Sequence, residues 1–223
     1  MNILAFDTAT TATAAALVAG DAARELRDDP ATGAHPGHAT RLLPMADELL
    51  SQAGIGWDEL DLIAVGTGPG GFTGLRVGVA TARGVAVSLG LVLAGRSSLA
   101  ALARAALHET GAPRALALID ARRGEVFAQQ FELEDGQPRE LSAARALAPD
   151  DLAAPPAGTV VVGDGLLRHR ETVDVGAALV PDADSTLHRV QAAQLAAMAT
   201  YGLLPSQVVP EYVREPDATA AIR

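Results

Sequence analysis

The stretch Gly66-Thr67-Gly68-Pro69-Gly70-Gly71 follows a short apolar run, Leu62–Val65, and leads into a segment of helical periodicity. A strand, a glycine turn and a helix N-terminus in that order can offer backbone amides to an anion such as a phosphate. The spacing Gly66-x-Gly68-x-x-Gly71 is that of dinucleotide-binding turns, which also need an acid about 20 residues on to hold the ribose. None follows: from Leu62 to His108 the chain has no Asp or Glu. A phosphate-binding lysine is also excluded, because all 17 basic residues are arginines. The same absence removes Schiff-base and lysine general-base chemistry. The lack of cysteine removes thiol nucleophiles, disulfides and cysteine-bound zinc.

Asp7 ends the first apolar strand and faces a polar turn, Thr8-Ala9-Thr10-Thr11. Together with Gly68, Gly70 and Gly71 it is the candidate anion or nucleotide site. His35 and His38 flank Pro36-Gly37 and cannot share a helical face, so they do not read as a metal pair. No serine sits in a Gly-x-Ser-x-Gly elbow, and Ser97-Ser98 reads as a helix cap. Asp28-Asp29 and Asp150-Asp151 lie beside prolines and read as solvated turns. No complete catalytic constellation is visible.

The elements that position these residues follow an α/β plan. Ile3–Phe6 and Ala12–Val18 read as a hairpin, and Asp28–Gly37 as a loop. A helix is expected from His38 or Thr40 to about Ala53, carrying an apolar stripe that includes Leu42, Leu43, Met45 and Leu49. Further helices are expected over Thr73–Ser88 and Ser97–His108, and a strand at Leu91–Ala94. The second half echoes the first. Ala115–Ile119 ends at Asp120, Glu125–Leu133 returns, and Val160-Val161-Val162 leads into Gly163-Asp164-Gly165. A late helix is expected over His188–Tyr201 and an extended tail from Pro205 to Arg223. Two related lobes, 1–110 and 111–223, are therefore expected, with the late helix and tail able to pack back on the first.

At 223 residues, 49% apolar and 20% charged, the chain can bury a core without staples. Its net charge of −10 argues against coating nucleic acid or an anionic membrane. No signal peptide or membrane span is read, so a cytoplasmic location is expected. Arg76, Arg83, Arg96 and Arg104 fall in the acid-free segment, which reads either as core or as a surface for an acidic partner or phosphate. Gly74, Gly78, Ala82 and Ala86 recur every four residues, so one helix face admits another backbone closely.

Gly68-Pro69-Gly70-Gly71-Phe72-Thr73-Gly74-Leu75-Arg76-Val77-Gly78 resembles the Gly-Pro-Gly-Ser-Phe-Thr-Gly-Leu-Arg-hydrophobic-Gly signature of the bacterial TsaB (YeaZ) family, with Gly71 in place of Ser. Further matches run in order along the chain. They include Ile3–Thr10, His38 with Leu42-Leu43-Pro44, Ser97-Ser98-Leu99, Asp120–Val126 and Pro210–Arg214.

The resemblance implies two lobes of the actin and sugar-kinase (ASKHA, ribonuclease H-like) type. It implies work in tRNA threonylcarbamoyladenosine synthesis as a non-catalytic scaffold and dimerisation subunit that binds a TsaD-type transferase. A TsaE-type ATPase assists, with ATP and metal on the partner subunits and tRNA met through the complex only. Alone, a homodimer is expected. The partner surface is expected on the first two helices, with Leu42, Met45 and Leu49 as knobs. Gly74, Leu75, Arg76, Gly78, Ala82 and Arg83 are expected on the facing helix. The alternatives are a glycoprotease-like peptidase, which would need a nucleophile set not seen here, or a nucleotide-binding module using Gly66–Gly74.

Overall fold

The computed structural model describes residues 1–31 and 33–214. The first sheet comprises β1 (Asn2–Asp7), β2 (Thr13–Ala19), β3 (Ala22–Asp28), β4 (Leu62–Gly68) and β5 (Leu93–Ser97), in the spatial order β3-β2-β1-β4-β5. The second comprises β6 (Arg114–Arg122), β7 (Glu125–Glu134), β8 (Gln137–Glu140), β9 (Arg145–Leu147) and β10 (Thr159–Val162), in the order β10-β6-β7-β8. β9 shares the outer edge of β7 with β8. The helices are α1 (His38–Ala53), α2 (Phe72–Leu89), α3 (Ser98–Thr110), α4 (Asp164–Arg168) and α5 (Ala192–Met198).

The two sheets repeat one plan. β1 pairs antiparallel with β2 and parallel with β4. β6 pairs antiparallel with β7 and parallel with β10. Each first strand ends in an aspartate that turns the chain by accepting the amide two residues on. Ala9 N donates to Asp7 Oδ1 at 3.0 Å, and Arg122 N donates to Asp120 Oδ1 at 2.9 Å. The echo between the halves is thus structural: both sheets carry the same α/β plan.

Packing explains the apolar runs. One face of the first sheet, with Leu4, Phe6, Leu17, Ile63 and Val65, is covered by α1 and α2. The other face, with Ile3, Ala5, Ala14, Ala16 and Ala64, meets α3 and α5. α3 also covers the inner face of the second sheet, including Ala117, Ile119, Phe127 and Phe131, while α5 packs on the first sheet and on α3. α3 is therefore buried on nearly all sides, which is why Leu99–Ala106 is apolar apart from Arg104. The outer face of the second sheet carries its own smaller cluster around Leu118, Val161 and Leu166.

α1 spans His38–Ala53 and α2 Phe72–Leu89, close to their expected limits. β3 was not expected, because four of its seven residues are charged and it shows no apolar alternation. It pairs along all of β2 as an edge strand. β5 begins two residues later than expected. The late helix is confined to Ala192–Met198, preceded by a single 3-10 turn at Thr186–His188. The tail makes another 3-10 turn at Pro205–Gln207 before extending, and its expected continuation past 214 lies outside the described residues.

Candidate functional site

The turn that leaves β1 packs into the glycine-rich entry to α2. Asp7 is buried, accepting the Ala9 amide and, at 2.6 Å, the Ser98 hydroxyl. Burial pushes its carboxyl above the usual carboxylate range, and the two hydrogen bonds only partly oppose this. Gly66 leaves room for it, since a Cβ there would come within 2.0 Å of Asp7 Oδ2. The next residues then fill the glycine turn. Gly71 N donates to Ala9 O at 2.7 Å, and Thr8 Oγ donates to Gly74 O at 2.8 Å. A Cβ at Gly70 would lie 2.3 Å from Ala9 O, and one at Gly74 would lie 2.2 Å from Thr8 O. At Gly78 it would lie 2.2 Å from Thr8 Oγ1. The small residues of α2 therefore form a bed for the β1–β2 turn. The Gly71 amide, expected to be open to an anion, is taken by the chain's own carbonyl.

Beside this contact lies a cleft of about 430 Å³. The first sheet's side contributes Thr10, Thr11, His35, His38, Phe72 and Thr73; the second contributes Asp120, Arg122 and Asp164. His38 is buried with Nδ1 2.9 Å from Thr13 Oγ1, and burial lowers its pKa. Asp120 sits 3.3 Å from both Arg122 and Arg168. Asp164 accepts the Asp120 amide at 3.1 Å, and burial pushes its carboxyl up to about 6. Asp164 is a cleft residue that pattern reading missed; its position after β10, in Gly163-Asp164-Gly165, was the available signal. Among the described residues no group of three or more His, Asp or Glu side chains could hold a metal ion.

The residues expected to meet a partner divide by burial. Leu42, Met45 and Leu49 on α1 and Leu75 and Ala82 on α2 are buried in the core beneath the first sheet's outer layer. Gly74 and Gly78 face Thr8 and His38 within the same chain. Arg76 stays exposed but donates from Nε to Tyr212 Oη at 3.1 Å. Its guanidinium lies 3.8 Å over the Phe72 ring. Arg83 donates to Ser206 O at 2.9 Å. What these helices turn outward is different: an open apolar groove of about 440 Å³ lined by Leu43, Trp57, Thr81, Gly84, Val85, Ser88 and Leu89. Leu43 is 46% exposed, a large apolar residue left facing water. Leu43 was expected in the apolar stripe with Leu42, Met45 and Leu49, but it lies on the outward side of α1 while they are buried.

Among solved structures, YeaZ from Pseudomonas aeruginosa is 33% identical and superposes with a TM-score of 0.82 over 95% of this chain and 99% of that one. The chain belongs to the TsaB/YeaZ family. A family model described as "TsaD: tRNA N6-adenosine threonylcarbamoyltransferase" matches residues 31–162. The "tRNA threonylcarbamoyladenosine biosynthesis protein TsaB" of Escherichia coli is 37% identical over 140 residues, 60% of this chain and 57% of that protein. An uncharacterised protein of Mycobacterium tuberculosis is 31% identical over 217 residues, covering 97% of this chain and 93% of its own. The chain thus spans little more than half the length of the E. coli TsaB relative. Among the described residues, no helix is long and apolar enough to cross a membrane.

Proposed function

We propose that this chain is the scaffold and dimerisation subunit of a tRNA threonylcarbamoyladenosine complex. It binds and stabilises a TsaD-type transferase, which places the threonylcarbamoyl group on the adenosine beside the anticodon. The observation that carries this reading is the apolar groove between α1 and α2, with Leu43, Trp57 and Val85 facing outward. A groove of this size along two neighbouring helices suits a helical partner. The non-catalytic role rests on the first cleft wall. Asp7 is buried against Ser98, and the Gly71 amide is taken by Ala9. Lobes 1–110 and 111–223 then act as the platform, with ATP and metal held by the TsaD-type and TsaE-type partners. tRNA is met through the complex in the cytoplasm. Free of its partners, the chain pairs with a second copy through the same groove, which shifts the partner surface from the buried stripe to the outer helix faces.

The test is co-purification with the TsaD-type protein of the same cell, using Leu43→Arg and Ser88→Arg. Both positions are exposed, so the variants should melt near the unaltered protein. A charge in the groove should weaken association about tenfold or more. Undiminished association by both folded variants would overturn the assignment, as would robust ATP turnover by the isolated chain that is lost in Asp7→Ala.

A further inference from the structure

The segment Pro205–Arg214 lies beside the cleft and is fastened to elements on both of its sides. On the first wall, Ser206 O accepts from Arg83, and Glu211 N donates to Thr67 O at 2.7 Å. Val208 is buried in the core under α2. The Tyr212 ring lies 5.1 Å from that of Phe72, and its hydroxyl accepts from Arg76. Two residues later the chain holds the second wall. Arg214 Nη2 donates to Ala121 O at 3.0 Å, and Nη1 pairs with Glu125 Oε2. Phe72 lines the cleft, and Ala121 lies between the cleft residues Asp120 and Arg122. Three extended residues reach only about 10 Å, so Tyr212 and Arg214 cannot both stay seated if the walls part.

We propose that Pro205–Arg214 is a clasp that sets the width of the cleft and the angle between the two sheets. α3, packed between the two sheets, is the pivot. Val208 and Val213 anchor the segment on the core, and between and beyond them the grip of Tyr212 and Arg214 is aromatic and polar, on side chains partly open to water. Arg214 and Glu125 are 29% and 35% exposed, and Tyr212 is 43% exposed. Such a fastening can let go without unfolding the core beneath it. The cleft width would then respond to anything that competes for Tyr212 or Arg214.

The absence of cysteine allows a direct test. Spin labels on Ala39→Cys and Glu171→Cys, two exposed sites on opposite sides of the cleft, report the distance between walls. The unaltered clasp should give one narrow distribution. Tyr212→Ala and Arg214→Ala, each in the labelled protein, should broaden or lengthen it. Each should also speed amide exchange at Glu211 and Arg122, whose N–H groups are hydrogen-bonded, about tenfold. Glu125→Ala should act in the same direction as Arg214→Ala but more weakly, since the Arg214–Ala121 bond remains, and the double variant should do no more than Arg214→Ala alone. Folded Tyr212→Ala and Arg214→Ala proteins with an unchanged distance distribution and unchanged exchange would overturn the proposal.

Discussion

Gly78 and Gly84 lie on the same helix, and the same substitution at the two should have opposite signs. At Gly78 the added methyl would sit 2.2 Å from Thr8 Oγ1, so the threonine must rotate or the helix must move. Rotation breaks the buried Thr8–Gly74 hydrogen bond. Overpacking of this kind costs about 1–3 kcal/mol, and an orphaned buried hydroxyl costs about 1–3 kcal/mol. Replacing glycine by alanine inside a helix returns about 1 kcal/mol. Gly78→Ala should therefore lose about 1–5 kcal/mol, which for a chain of this size lowers Tm by roughly 2–20 °C. Gly84 meets nothing within 4 Å, so Gly84→Ala keeps only the helical gain and should raise Tm by roughly 2–4 °C. Thermal melts followed by circular dichroism measure both. The mechanism also demands coupling: in a Thr8→Ala background the nearest clash is gone, and Gly78→Ala should become much milder. If Gly78→Ala melts with Gly84→Ala, or if its cost is unchanged beside Thr8→Ala, the close approach does not carry the energy assigned to it.

Other outcomes follow from the same structure. Asp164, with its carboxyl raised from 3.8 to about 6, keeps its proton more tightly when folded, so stability is full below pH 4 and falls as pH rises to 6. The loss is at most about 3 kcal/mol, and urea titrations of Asp164→Asn should show a flatter pH dependence over that window. Leu49→Ala removes a fully buried side chain from the α1 face and should cost about 2–5 kcal/mol in chemical denaturation. Gly66→Ala places a methyl against Asp7 Oδ2 and should destabilise the fold, with Gly124→Ala, which meets nothing within 4 Å but sits at positive φ, as a milder comparison.

The elements legible in the sequence were those whose pattern reports one environment. α1 shows a stripe because it has one buried face, and β4 and β10 are apolar runs because both of their faces are covered. β3 escaped because an edge strand is held by backbone pairing with β2, which composition does not record. The end of the expected late helix failed for a related reason. His188, at the end of a 3-10 turn, and Val190 beyond it are buried by tertiary contacts, and periodicity alone reads buried residues as helix. The glycine turn was located correctly, but what fills it was not legible. Thr8 and Ala9 lie about 60 residues from Gly70 and Gly74, and only the pairing of β1 with β4 brings them together. The outward groove was hidden similarly, since Leu43 and Val85 become neighbours through helix packing.

The sandwiching of α3 between the sheets bears on how the molecule comes apart. An isolated segment 1–110 would hold a helix whose second apolar side, meant for Ile119, Phe127 and Phe131, has lost its cover. Such a fragment should aggregate or melt early, however sound its own sheet. Residues 111–223 alone would lose α3 from that same inner face while retaining α5, whose partners, the first sheet and α3, belong to the missing half. Neither half is a self-sufficient folding unit, so heat or denaturant should remove both in one sharp transition. Duplicated architecture does not here bring independent stability.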